Sequence, residues 1–107
     1  IDWNTSAREV FNKVRALDPT PGAFTYLDGN VLKIWSSEVI DISAEVNFDK
    51  VGTIIKQDKK YIYVLCGNGT VLKVKELQVS GKKRMPVVNF LSNKKDYVGT
   101  ILGEENE

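Results

Sequence analysis

Lys82-Lys83-Arg84, set between Gly81 and Met85, is the longest uninterrupted run of like charge in the chain. Three cations on a loop can meet a phosphate with side chains and backbone amides together, although short basic runs on their own are commonly just solvated. A second grouping depends on register. If Gly67-Asn68-Gly69 is a three-residue hairpin loop with Gly69 at positive φ, Cys66 faces Thr70, and the ladder continues as Val64 with Leu72 and Ile62 with Val74. The other face then pairs Tyr63 with Lys73 and Tyr61 with Lys75. A two-residue Asn68-Gly69 turn would put Val64 opposite Lys73 and mix apolar with charged groups, so the longer loop is expected. Rings interleaved with ammonium groups suit an oligonucleotide, because cations neutralise phosphates while flat rings stack on bases. Lys33 and Trp35 share a face in the same way, opposite Leu32 and Ile34. The alternative stays open at this point: these aromatics cover the fold while the lysines remain solvated.

Other chemistry is poorly served. With no histidine and one cysteine, the chain cannot assemble the metal sites built on clustered Cys and His, nor a nucleophile activated by a histidine base. Asp28 belongs to a turn and Glu9 to a helix start, which leaves no enclosed carboxylate pair. Gly67-Asn68-Gly69 lacks the lysine and following helix of a phosphate loop. Cys66 ends an apolar run and reads as a small core residue. Trp3 is expected to pack, stapling the first helix through Val10 or Phe11.

The elements that must position these residues follow from capping and turn chemistry. Ser6 with Glu9 three residues later forms a capping box, and Val10, Phe11, Val14 and Leu17 recur at helical spacing. Asp18-Pro19-Thr20-Pro21-Gly22 ends this helix, since proline lacks an amide donor and disfavours helical geometry in the residue before it. Ala23 to Leu27 and Val31 to Ile40 flank Asp28-Gly29, a pair that tolerates the positive φ angles of a two-residue turn. Asp41 to Lys50 reads as a connection. Gly52 to Lys56, Tyr61 to Cys66 and Thr70 to Val79 are further strands, Gly81 to Arg84 a basic loop, and Pro86 opens a short helix through Leu91. Gly99 to Glu107 reads as a frayed end. The fold expected is mainly β: a small antiparallel barrel of about five strands, with an N-terminal amphipathic helix and a short C-terminal helix.

The 107 residues suit one domain, 1–107. The 42% hydrophobic and 27% charged content is that of a folded globular chain. Apolar runs such as Tyr61 to Cys66 fall far short of the ~20 residues of a spanning helix, so no membrane segment is expected. A lone cysteine gives no disulfide, and a cytoplasmic location is the default. The chain begins with Ile1 rather than Met, which suggests a fragment of something longer. The net charge of +1 hides an asymmetry: residues 50–95 carry 11 basic groups against only Asp58 and Glu76, whereas the flanking stretches are each at −4. Such a surplus can attract a polyanion if the fold gathers it into one surface.

Several segments resemble, in order and at matching spacing, the C-terminal domain of the methionyl-tRNA formyltransferase family. They are Ile1-Asp2-Trp3, Arg15-Ala16-Leu17, Pro21-Gly22-Ala23-Phe24-Thr25, Leu32-Lys33-Ile34-Trp35, Cys66-Gly67-Asn68-Gly69, Glu76-Leu77-Gln78, Gly81-Lys82-Lys83-Arg84-Met85 and Asn89-Phe90-Leu91. The resemblance spans essentially the whole chain. It departs at Thr20, where the family usually has an aromatic, and at Ser36, often basic, so neither is carried over as a contact. The resemblance implies an oligonucleotide-binding type of fold that presents a positive surface to tRNA. It also implies a parent enzyme whose separate N-terminal domain transfers a formyl group from 10-formyltetrahydrofolate to methionine on initiator tRNA. This chain would then have no catalytic residue and no cofactor of its own, and would act as a monomer partnered by that domain and by the tRNA. The RNA-contact set is Lys82, Lys83 and Arg84, with Lys33, from the matched motifs, and Lys73, Lys75, Tyr61 and Tyr63 from register. Two other readings remain: the same domain in a formyltransferase acting on a small molecule, and a barrel that only orders its parent or binds protein.

Overall fold

The computed structural model describes residues 1–40 and 50–103; the connection expected from residue 41 onward lies, apart from Lys50, outside them. Helix α1 (Ala7–Ala16) starts where the sequence signals it: the Ser6 hydroxyl accepts the Glu9 amide at 3.3 Å. It turns Ala7, Val10 and Val14 into the core against the strands at Asn30–Ile40 and Val71–Val79. Burying each valine contributes on the order of 1.5–3 kcal/mol. The helix stops before Asp18-Pro19 and Thr20-Pro21, both cis, and Gly22 then redirects the chain at φ +89°.

Strands β1 (Ala23–Leu27) and β2 (Asn30–Ile40) form a hairpin around Asp28 (φ 51°) and Gly29 (φ 82°), the expected positive-φ pair. Strands β3 (Ile54–Gln57), β4 (Ile62–Leu65), β5 (Val71–Val79) and β6 (Met85–Pro86) follow. All pairings are antiparallel, in the order β1-β2-β5-β4-β3, with β6 also on β5. The register between β4 and β5 is the one that the three-residue loop requires: Ile62 faces Val74, Tyr63 faces Lys73, and Val64 faces Leu72. The Cys66 amide donates to the Thr70 carbonyl at 2.8 Å.

Mainly β with a helix near each end is therefore correct, but the sheet has six strands, and among the described residues strand pairing does not close it into a barrel. Its two edges are instead joined by the segment expected to fray. Ile54 donates to Thr100 and Leu102 to Gly52, each at 2.8 Å, and Gly103 donates to Tyr26 at 2.9 Å. Leu102 is buried. This strap satisfies edge backbone groups, the Ile54 amide and the Gly52 and Tyr26 carbonyls, that would otherwise be unpaired. A second correction concerns Pro86. It does not begin the helix but ends β6 and caps α2 (Val87–Phe90), which continues as a 3-10 turn, Leu91–Asn93.

The core runs from Trp3 through Ile34, Val64, Leu72 and Leu77 to Leu102. Trp3 is buried as a packing residue, and its seat is formed by Thr25, whose hydroxyl accepts the indole N–H at 3.0 Å, together with Gly52 and Gly103. Burial pushes the Cys66 thiol up to about 12, against the pull of a backbone hydrogen bond at Leu72, so it is an inert core group.

Candidate nucleic-acid interface

β2 carries an irregularity that sets the outer surface. Ile34 faces Leu77 and Ser36 faces Glu76, so Trp35 is an extra residue on β2. Such a bulge re-aims side chains and increases local twist. Trp35 is only 8% exposed and packs with Gly22, Lys33, Gln78 and Arg84. Gly22 makes room for it: a Cβ there would stand 2.7 Å from the indole Cη2. The indole N–H donates to Gln78 Oε1 at 2.9 Å, and Gln78 Nε2 donates to the Lys82 carbonyl at 2.9 Å. The Lys82 amide donates to Val79, also at 2.9 Å, and Gly81 takes φ +80°. The base of the Lys82-Lys83-Arg84 loop is thus fixed to the sheet through both its amide and its carbonyl.

The three cations on this loop differ. Lys82 and Lys83 are exposed and have no acidic partner among the described residues. Arg84 turns back. Its Nε donates to Glu76 Oε1 at 2.7 Å, Nη1 lies 3.5 Å from Asp18 Oδ1, and the guanidinium carbon stands 5.0 Å from the centre of the Trp35 ring. The hydrogen bond and charge of Glu76, with a smaller share from Asp18, hold its pKa above the ordinary arginine value. Arg84 therefore ties the loop to β5 and to the end of α1, and its charge is largely answered within the chain. Lys33 faces Gln78 across the β2-β5 ladder, and its ammonium lies 5.7 Å from the Trp35 ring centre.

On the β4-β5 part of the face, the structure brings Lys73, Lys75, Tyr61 and Tyr63 together, and separates them in character. One carboxylate, Glu38, serves both lysines, at 3.6 Å from Lys73 and 4.0 Å from Lys75, which leaves the trio with net positive charge. Lys73 lies 4.5 Å from the Tyr61 ring centre, and Tyr61 keeps part of its surface free. Tyr63 does not. It is 8% exposed, Lys56 lies 5.2 Å from its ring centre, and its hydroxyl donates to Asp58 Oδ2 at 2.7 Å. Burial, then this hydrogen bond and the Asp58 charge, push the Tyr63 phenol up to about 12. The Asp58 carboxylate is raised by burial, but the Tyr63 hydroxyl, the Lys60 and Tyr61 amides and the Lys56 charge together hold it below its ordinary value.

Sequence reasoning missed Gln78 as the support of the loop and Asp58 as the anchor of Tyr63. Gln78 was legible only as part of a motif; its partner Trp35 is 43 residues away. Asp58, five residues before Tyr63, carried a local signal in the Asp58-to-Tyr61 turn, where an aspartate commonly accepts following amides. Among the described residues, no group of three or more His, Cys, Asp or Glu could hold a metal ion. No helix there is long and apolar enough to cross a membrane.

Comparison with known proteins agrees with this geometry. A methionyl-tRNA formyltransferase of Bacillus velezensis is 40% identical over 107 residues, covering 100% of this chain and 33% of the relative. Those of Bacillus mycoides and Bacillus cereus are each 42% identical over 104 residues, covering 97% of this chain and 32% of theirs. The chain thus spans about a third of the length of the curated relatives it matches. The family described as formyl transferase, C-terminal domain, matches residues 1–95, a span that includes α1, all six strands and the basic loop. This chain belongs to the formyl transferase C-terminal domain family.

Proposed function

We propose that this chain is a single tRNA-holding domain, residues 1–107, of a methionyl-tRNA formyltransferase. In this reading a separate N-terminal catalytic domain transfers the formyl group of 10-formyltetrahydrofolate to the amino group of methionine on initiator tRNA. The chain itself, with no histidine, contributes binding and orientation. It acts as a monomer in the cytoplasm. The name shared by the relatives above favours this over a small-molecule substrate or a purely structural role.

One observation carries the proposal: Lys82 and Lys83 stand exposed, without an acidic partner among the described residues, on a loop held rigid by Gln78. A backbone already tied to the sheet lowers the ordering cost of binding, and the ammonium groups it carries neutralise phosphates. Lys33, Lys73 and Lys75 extend the positive surface along β2 and β5. Arg84 belongs to the same set but serves chiefly to position the loop. Tyr61 has ring surface to offer a base, whereas Tyr63 supports the sheet beneath it. Titration of the chain with initiator and elongator tRNA at several salt concentrations tests the proposal. Binding that weakens steeply with salt is expected, and no binding at low salt overturns it.

A further inference from the structure

Between Lys60-Tyr61, just before β4, and the junction of β6 with α2 lies a cleft of about 270 Å³ lined by Ser36, Lys60, Tyr61, Lys75, Glu76, Pro86 and Val88. Its chemistry is divided. Pro86 and Val88 form an apolar wall, and Val88 is 44% exposed, one of three large hydrophobic residues left so open among the described residues. Tyr61 adds an aromatic surface. Two ammonium groups stand at the same opening. Lys60 is exposed and has no acidic partner among the described residues, while Lys75 has only a distant share in Glu38 at 4.0 Å. The nearby carboxylate, Glu76, is already held by Arg84 at 2.7 Å. The other neighbouring acid, Asp58, spends both oxygens on Tyr63 and on the Lys60 and Tyr61 amides. That bonding also fixes the backbone from which Lys60 and Tyr61 project.

A ring, an apolar wall and two cations match one ligand chemistry: a flat, uncharged base with a phosphate on either side. We propose that this cleft binds a single unpaired nucleotide, with the base against Tyr61, Pro86 and Val88 and the flanking phosphates at Lys60 and Lys75. The inference rests on the reading of the chain as an RNA-holding domain, and adds a subsite away from the basic loop. A paired base cannot enter, because its faces are covered by its neighbours in the stack. The cleft therefore selects a loop, bulge or single-stranded end.

The probe is a fluorescein-labelled hexamer of riboadenylate, titrated by anisotropy with the 107-residue chain. A blunt-ended RNA duplex with no loop, bulge or overhang serves as competitor. Tyr61→Leu and Val88→Asp are each expected to weaken hexamer binding about ten-fold or more, the usual scale for loss of one base-stacking surface. Lys60→Ala is expected to lower the salt slope by about 0.7, the single-strand value for one phosphate contact. The duplex should compete poorly, and the Lys82→Ala/Lys83→Ala variant, which removes general phosphate attraction, should weaken hexamer and duplex binding alike, whereas Tyr61→Leu weakens the hexamer selectively. Thermal melts of Tyr61→Leu and Val88→Asp identify any loss due to unfolding, and Lys60→Ala, at an exposed site, keeps the test open if both are unstable. Hexamer binding unaffected in folded Tyr61→Leu and Val88→Asp, or weakened in them no more than duplex binding, overturns the cleft. Hexamer binding with no tRNA binding would overturn the tRNA role while leaving the cleft in place.

Discussion

The side-chain amide of Gln78 joins Trp35 to Lys82, accepting from the indole N–H and donating to the loop carbonyl, each at 2.9 Å. Both bonds require the same amide orientation, so a buried-face aromatic and a surface loop are coupled through one side chain. Removing the amide leaves the indole N–H of a residue only 8% exposed without its acceptor. Gln78→Leu is therefore expected to lower stability by about 1–3 kcal/mol. It should also raise the rate of trypsin cleavage after Lys82 and Lys83 several-fold, relative to cleavage after Lys59 and Lys60. Limited proteolysis followed by mass spectrometry reads the second effect. Equal acceleration at both places would mean general loosening rather than release of the loop.

The glycine of the β4-β5 hairpin separates packing from conformation. A Cβ at Gly67 would run into the backbone carbonyl of Asn4, on the segment leading to α1, whereas a Cβ at Gly69 meets nothing within 4 Å. Gly67→Ala is expected to cost about 1–3 kcal/mol, toward the upper end because backbone cannot swing aside as a side chain can. Gly69 sits at φ +69°, so Gly69→Ala should cost about 1–2 kcal/mol through conformation alone. Urea denaturation of the two variants measures both, and a Gly69→Ala loss exceeding that of Gly67→Ala would contradict the assignment.

Two groups contribute stability that is lost in alkali. Tyr63 and Cys66 both have pKa values raised to about 12 in the folded chain, from ordinary values of 10.0 and 9.0. The unfolded chain therefore loses these protons first. Their contribution is fully present below the ordinary values and declines as pH rises from about 9 to about 12. Cys66→Ala should flatten the melting-temperature profile from its lower end, near pH 9, and Tyr63→Phe from about pH 10 upward. Asp58 acts in the opposite sense: its pKa is lowered, so its contribution is lost as pH falls below the ordinary value of 3.8. Melting curves of Asp58→Asn across acid pH should be flatter than those of the unsubstituted chain.

Much of this was readable from local chemistry. Ser6 with Glu9 marked α1, Asp28-Gly29 marked the first hairpin, and the apolar alternation of Ile62, Val64, Leu72 and Val74 fixed the register around Gly67-Asn68-Gly69. What escaped depends on contacts between distant residues. β6 is a two-residue strand containing a proline, too short to show periodicity, and exists because Met85 and Pro86 lie beside Leu77 and Glu76. The strap at residues 99–103 is short and bounded by glycines, so it reads as a frayed end, but its amides find partners at Gly52, Ile54 and Tyr26. Arg84 sits in a run with two other cations, and only folding brings Asp18, 66 residues earlier, within reach of it. Composition exposed the surplus of charge, not which cations were already answered.

The three loop cations divide into one answered charge, Arg84, and two unanswered ones, Lys82 and Lys83, among the described residues. Arg84→Met removes an exposed ion-pair network worth roughly 0–1 kcal/mol, and should change the salt dependence of tRNA binding little. Lys82→Ala/Lys83→Ala removes two unanswered charges. Anisotropy of a labelled initiator tRNA at three salt concentrations measures the slope of log affinity against log salt. The double lysine variant is expected to bind more weakly, with the slope reduced by about 0.7 to 0.9 for each lysine. An unchanged affinity and slope in that variant would contradict the proposed tRNA role of the loop.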